Sequence, residues 1–225
     1  MLPKIFRLIY ALITIATTIY LFISGRSYYA LPLEERFYHE QHELFKASGL
    51  IGHGLGIIGT VLIFLGVMLY IVAKKYGWFT RIVRLKYILE FHIFLCTLGP
   101  IMVLFHTTYK FGGIVSIAFW SMVIVVLSGV VGRFLYIRLP RDWQGRELSF
   151  ADAENKLKKL ELNELPSKEE IAEKNTLKRQ LRSMQRNQQY FKYWHVAHRP
   201  FALIMLVIVI VHIAATLILG YGFWK

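Results

Sequence analysis

Five stretches without a single Asp, Glu, Lys or Arg restrict this chain more than any other feature: residues 8–25, 47–73, 91–109, 111–132 and 200–224. Each approaches or exceeds the ~20 residues that carry a helix across ~30 Å of hydrocarbon. In that medium a backbone must satisfy its own hydrogen bonds, so the runs are expected to be helices. The expected fold is therefore an all-α integral membrane protein with five transmembrane helices. A composition 56% hydrophobic and only 18% charged excludes an ordinary soluble domain. Lys4 and Arg7 before the first run also fit a signal peptide, but the length of that run and the poor cleavage site at residues 27–30 favour a retained anchor.

Charge placement predicts orientation. Lys74, Lys75, Arg81, Arg84 and Lys86 cluster between the second and third runs, and residues 138–195 carry thirteen Lys or Arg against nine Asp or Glu. The other side has only Arg26, Arg36, Lys46, Lys110 and Lys225. The positive-inside rule then puts the N-terminus in the cytoplasm and the C-terminus outside the cell (inner) membrane. A net charge of +13 falls mostly where anionic headgroups are expected, so membrane lipid, rather than nucleic acid, accounts for it.

Within this frame the histidines are patterned. His92 and His106 are separated by thirteen residues in the third run, and His198 and His212 repeat the spacing around the fifth. Fourteen residues rise ~21 Å and turn ~40° short of four full turns, so each pair projects from nearly one face. The third and fifth helices are expected to run parallel, which brings His92 level with His198 and His106 level with His212. Ionisable groups inside a membrane are costly and read as functional by default, and neutral imidazole is a standard axial ligand of haem iron. The competing explanation is interhelical hydrogen bonding.

Other residues fit around this core. Gly52, Gly54, Gly56 and Gly59 crowd one end of the second helix, while Gly112, Gly113, Gly129 and Gly132 flank the fourth, either for close approach of a cofactor or as ordinary membrane packing. Arg133, Arg199 and Lys110 are candidates to meet haem propionates. Pro200 suits the first turn of the fifth helix or a kink there. His53 is a candidate to line a quinone pocket, donate to a propionate, replace a ligand, or simply bond to a neighbouring helix. His195 competes with His198, though its spacing to His212 puts those two on different faces. Glu90 is a candidate to handle quinone protons. His39, Glu40, His42 and Glu43 suggest either a weak metal site or a surface helix with Phe37, Tyr38 and Phe45 at the interface. Cys96 stands alone, with no CxxCH motif, so any haem is expected to be non-covalent b type.

Three parts are expected: transmembrane helices 1 to 4 in residues 1–137, a cytoplasmic helical hairpin or connector in 138–197, and the fifth helix in 198–225. Ser149 with Asp152, and Ser167 with Glu170, resemble capping boxes that open the hairpin helices, with a break at residues 164–167. Leu177, Leu181, Met184 and Phe191 form an apolar stripe leading to the fifth helix. No glycine-rich phosphate loop is present.

The two H-x13-H pairs resemble the dihaem core of membrane b-type cytochromes, a group that includes cytochrome b of the bc complexes and the ferric reductase and NADPH oxidase type. Placement on the third and fifth helices is closest to the latter. The resemblance covers His92, His106, His198 and His212 and implies that they ligate two haems carrying electrons across the membrane. The ferric reductase type usually adds a helix and a flavin and nicotinamide domain, whereas this chain ends at Lys225, so its electrons are expected from elsewhere. Size and helix count also resemble the cytochrome b subunit of respiratory nitrate reductase, but that family divides its ligands between its second and fifth helices, where this chain offers only His53 in the second. The expected function is an electron-transfer subunit of a membrane oxidoreductase, linking quinol, quinone or a cytoplasmic donor to an extracytoplasmic partner, with other redox subunits. The alternatives are a non-redox anchor or assembly subunit and a histidine-based proton conductor.

Overall fold

A computed structural model describes residues 2–78, 83–137, 150–162 and 167–218. Among them the chain is helical, without strands: α1 Leu2–Ser24, α2 Arg26–Tyr29, a 3-10 turn Glu35–Tyr38, α3 His42–Phe45, α4 Leu50–Tyr76, α5 Leu85–His106, α6 Gly113–Ile137, α7 Phe150–Glu161 and α8 Lys168–Ile218. Five helical segments are long and apolar enough to cross a membrane, and they contain the five charge-free runs of the sequence or most of each. Leucine, isoleucine, valine and phenylalanine point outward along α1, α4, α6 and α8, as lipid rather than water requires. The chain divides into two compact units, Met1–Val126 with Leu203–Lys225, and Leu127–Ala202.

In the first unit the core is the antiparallel pair α4 and α5. Gly59 and Gly99 form the tight point of their crossing: a methyl on Gly59 would lie 2.7 Å from the Gly99 carbonyl oxygen, and one on Gly99 would lie 2.6 Å from the Gly59 carbonyl oxygen. Small residues supply such contacts where no hydrophobic force drives helices together. Pro100 follows within α5 and removes one amide donor, yet the helix continues to His106. At the other end of α4, Gly77 takes a left-handed φ of 68° and returns its N–H to Ala73.

Helix α1 lies parallel to α5. Arg7 Nε pairs with Glu90 Oε1 at 2.9 Å near the starts of both helices, and Tyr10 stacks on Phe94 with ring centroids 4.5 Å apart. At their far ends, the Arg36 guanidinium, 6% exposed, donates to the carbonyls of Leu31 (2.9 Å), Tyr29 (2.9 Å) and Thr108 (2.6 Å). This holds Thr108 and Tyr109 with φ of 51° and 60°, a left-handed conformation that side chains resist. Phe45 is buried against Tyr28 and does not sit at the interface with exposed Phe37 and Tyr38, because α3 turns it under the loop.

In the second unit, the capping box that opens α8 is complete: Ser167 N–H donates to Glu170 Oε2 at 2.9 Å, and Glu170 N–H donates to Ser167 Oγ at 3.2 Å. The other expected box, at Ser149 and Asp152, and most of the break at 164–167 lie outside the described residues and side chains. Two ion pairs join α7 to α8, Lys156 with Glu173 at 2.7 Å and Lys178 with Glu161 at 2.8 Å. The stripe residues Leu177, Leu181 and Met184 are buried. Helix α8 continues through His198 and Pro200 without a break, so Pro200 lies inside the helix, far from its first turn.

Candidate functional site

The two α5 histidines are each seated on a glycine of α4. His106 Nδ1–H donates to the Gly52 carbonyl at 2.8 Å, and His92 Nδ1–H donates to the Gly66 carbonyl at 3.0 Å. Because a carbonyl only accepts, the proton must be on Nδ1 in both rings, which leaves each Nε2 with its lone pair. Around His106 the seat is completed by Gly56, where an added methyl would lie 2.8 Å from Nδ1. Around His92 it is completed by Tyr70, whose ring stacks at 5.1 Å and 29°, and by Cys96 Sγ, 3.6 Å from Nδ1.

The reason lies in a repeat. Gly52, Gly59 and Gly66 recur every seven residues on α4, and His92, Gly99 and His106 recur every seven on α5 in the opposite direction. Seven residues bring an α-helix back to nearly the same face, so the three pairs Gly52 with His106, Gly59 with Gly99, and Gly66 with His92 line one antiparallel seam. The reading from spacing noticed the glycines near Gly52 and missed Gly66 and Gly99. Comparing the glycine spacing of α4 with the histidine spacing of α5 was the signal that would have found them.

The second unit holds His198 differently. Its Nδ1 shares a hydrogen bond of 2.5 Å with Ser128 Oγ, and its ring lies 5.0 Å from that of Trp194. Trp194 Nε1 donates to the Ser128 carbonyl at 2.7 Å, and its indole fills the space that a side chain at Gly132 would occupy. His195 instead bonds its own helix, Nδ1 to the Phe191 carbonyl at 3.1 Å, with its ring against Phe191 and Trp194.

The remaining candidates separate clearly. His53 and His212 come close enough to the His106 imidazole to interact with it electrostatically. Glu90, with its side chain 12% exposed, is the ion-pair partner of Arg7, a residue the sequence marked only as a cation ahead of the first apolar run. Lys110 and Arg199 are exposed and Arg133 is half-buried. His42 Nδ1 bonds Tyr28 Oη at 3.2 Å, and His39 Nδ1 accepts the Gln41 N–H at 3.1 Å. Among the described residues, no three His, Cys, Asp or Glu side chains gather as a metal site. The arrangement thus commits Nδ1 of His92, His106 and His198 to the protein, with His53 and His212 beside His106. For His92 and His106, Nε2 is the nitrogen left to bind a metal.

No family model, curated protein or solved structure matches this chain.

Proposed function

We propose that this chain is a dihaem b-type cytochrome subunit of a membrane oxidoreductase, with His92, His106, His198 and His212 as axial ligands of two non-covalent haems. The observation that carries the reading is the matched seating of His92 and His106. Metal-ligating histidines characteristically donate their second ring N–H to a carbonyl or carboxylate, which fixes the tautomer and raises ligand basicity. Gly66 and Gly52 accept that bond at two positions ~21 Å apart along one helix. A haem held by these histidines would supply a centre that exchanges single electrons.

The protein's part is to hold, orient and insulate. The glycine seats clamp the two α5 imidazoles, and Ser128 with Trp194 orients His198. Arg133, Arg199 and Lys110 are assigned to propionates. Loop charges assign the N-terminus to the cytoplasm and the C-terminus to the extracytoplasmic side of the inner membrane, with α7 and the first half of α8 as a cytoplasmic hairpin. Electrons are assigned from quinol or a cytoplasmic donor to quinone or an extracytoplasmic partner, with His53 and Glu90 as the residues nearest a quinone role.

An absorption spectrum of the protein purified from haem-replete cells tests this. Two b haems per chain are expected, with one lost in His92→Gln and one in His106→Gln. A colourless protein that is nonetheless folded and monodisperse would refute the reading, and would leave these histidines as interhelical packing groups.

A further inference from the structure

Glu173 pairs with Lys156, Glu161 with Lys178 and Glu154 with Lys158, and after Glu173 the chain contains no Asp or Glu at all. Arg179, Arg182 and Arg186 follow at i, i+3 and i+7, all exposed, on the side of α8 opposite the buried Leu177, Leu181 and Met184. None carries an ion pair among the described residues. Like charges three and four residues apart destabilise a helix, so this face holds uncompensated repulsion that an anionic partner would relieve. Tyr190 and Tyr193, 53% and 68% exposed, extend the same face.

We propose that this face of α8 docks an acidic protein surface. The partner is a protein rather than lipid for two reasons. First, the face is built of arginine and tyrosine, the types enriched at protein interface hot spots, and the guanidinium fork suits paired carboxylates. Second, its level is wrong for headgroups. Ser128 meets His198 and Gly132 meets Trp194, so the apolar span of α6, which ends at Leu135, ends beside about residue 191 of α8. At 1.5 Å per residue, Arg186, Arg182 and Arg179 stand about 7, 13 and 18 Å past that level. The headgroup layer is roughly 5–8 Å deep, so Arg182 and Arg179 stand beyond the headgroups, and Arg179 also clears the further ~8 Å over which their charge is screened. This inference is independent of the haem assignment.

The test uses the full chain in phosphatidylcholine nanodiscs and a fluorescein-labelled deca-glutamate peptide, followed by anisotropy. Saturable binding is expected, weakened at least tenfold by R179Q/R182Q/R186Q, steeply salt-dependent, and little changed by K159Q/K192Q, which removes two cations elsewhere on the same unit. If circular dichroism finds the triple variant unfolded, R182E alone takes its place and should weaken binding in the same direction. Equal affinity of the wild type and the arginine variant would overturn the proposal. So would loss of wild-type peptide binding in phosphatidylglycerol nanodiscs, which would mean that lipid already covers the face.

Discussion

Gly54 and Gly56 lie two residues apart on α4 and offer a matched pair of substitutions. Nothing lies within 4 Å of a methyl added at Gly54. At Gly56 the methyl would sit 2.8 Å from His106 Nδ1, 2.9 Å from Cγ and 3.0 Å from Cε1, whereas ordinary contact begins at 3.4 Å. The imidazole must therefore retreat from α4 by about 0.6 Å, and its 2.8 Å bond to the Gly52 carbonyl stretches to about 3.4 Å, beyond the useful range. Overpacking of this kind costs ~1–3 kcal/mol, to which the weakened bond adds ~0.6 kcal/mol on the scale measured inside membranes. Gly54→Ala should instead be neutral or stabilising by up to ~1 kcal/mol, since alanine is the better helix former.

Unfolding in mixed detergent measures both variants. Gly56→Ala should lower stability by ~1–3 kcal/mol relative to Gly54→Ala. In haem-loaded protein it should also perturb only one of two absorbance components, the one lost in His106→Gln. Equal behaviour of the two alanine variants would refute the seating of His106 on α4.

Further outcomes follow from the surroundings. Arg36→Lys should cost about 1.5–3 kcal/mol, because one ammonium cannot reach three carbonyls in the guanidinium's plane and a buried acceptor is left unpaired; unchanged thermal stability would count against the clamp on Thr108. Gly132→Ala should displace the Trp194 indole from the Ser128 carbonyl, at ~1–3 kcal/mol, and alter the near-ultraviolet circular dichroism. Burial, and then the neighbouring Tyr109 and Tyr28, push Tyr29 from its ordinary 10.0 up to about 12. The folded state thus binds that proton more tightly, so its contribution is complete below pH 10 and is lost as pH rises from 10 through about 12. A spectrophotometric titration should find a tyrosine ionising late, together with loosening of the loop.

The membrane helices were legible because hydrocarbon imposes a length and a composition that few other environments do. The charge-free runs located all five, although they understated α8, whose polar half has its own cap at Ser167 and its own buried stripe. The loop after α1 was not legible. Arg36 looks like any loop cation in sequence, and only the folded path of residues 26–38 brings it under the end of α5. The pairing of Arg7 with Glu90 was hidden similarly, since each residue alone is explained by its place at a helix end.

The histidine spacing is the instructive case, because it was legible for one reason and is held by another. Thirteen intervening residues were read as a distance that sets two imidazoles near opposite faces of a bilayer and as a rotation that keeps them on nearly one helix face. In the structure the same number is two heptads. Bilayer thickness would tolerate fifteen or twelve intervening residues equally well, since helices tilt to absorb such differences. The seam with α4 would not: each added residue turns a histidine ~100° about the helix, away from its glycine carbonyl. A one-residue insertion between His92 and Gly99 should therefore unseat His92 while leaving Gly99 and His106 in register, although the membrane span grows by only ~1.5 Å. The spacing is thus set by side-chain geometry against one partner helix, which mere membrane crossing does not require.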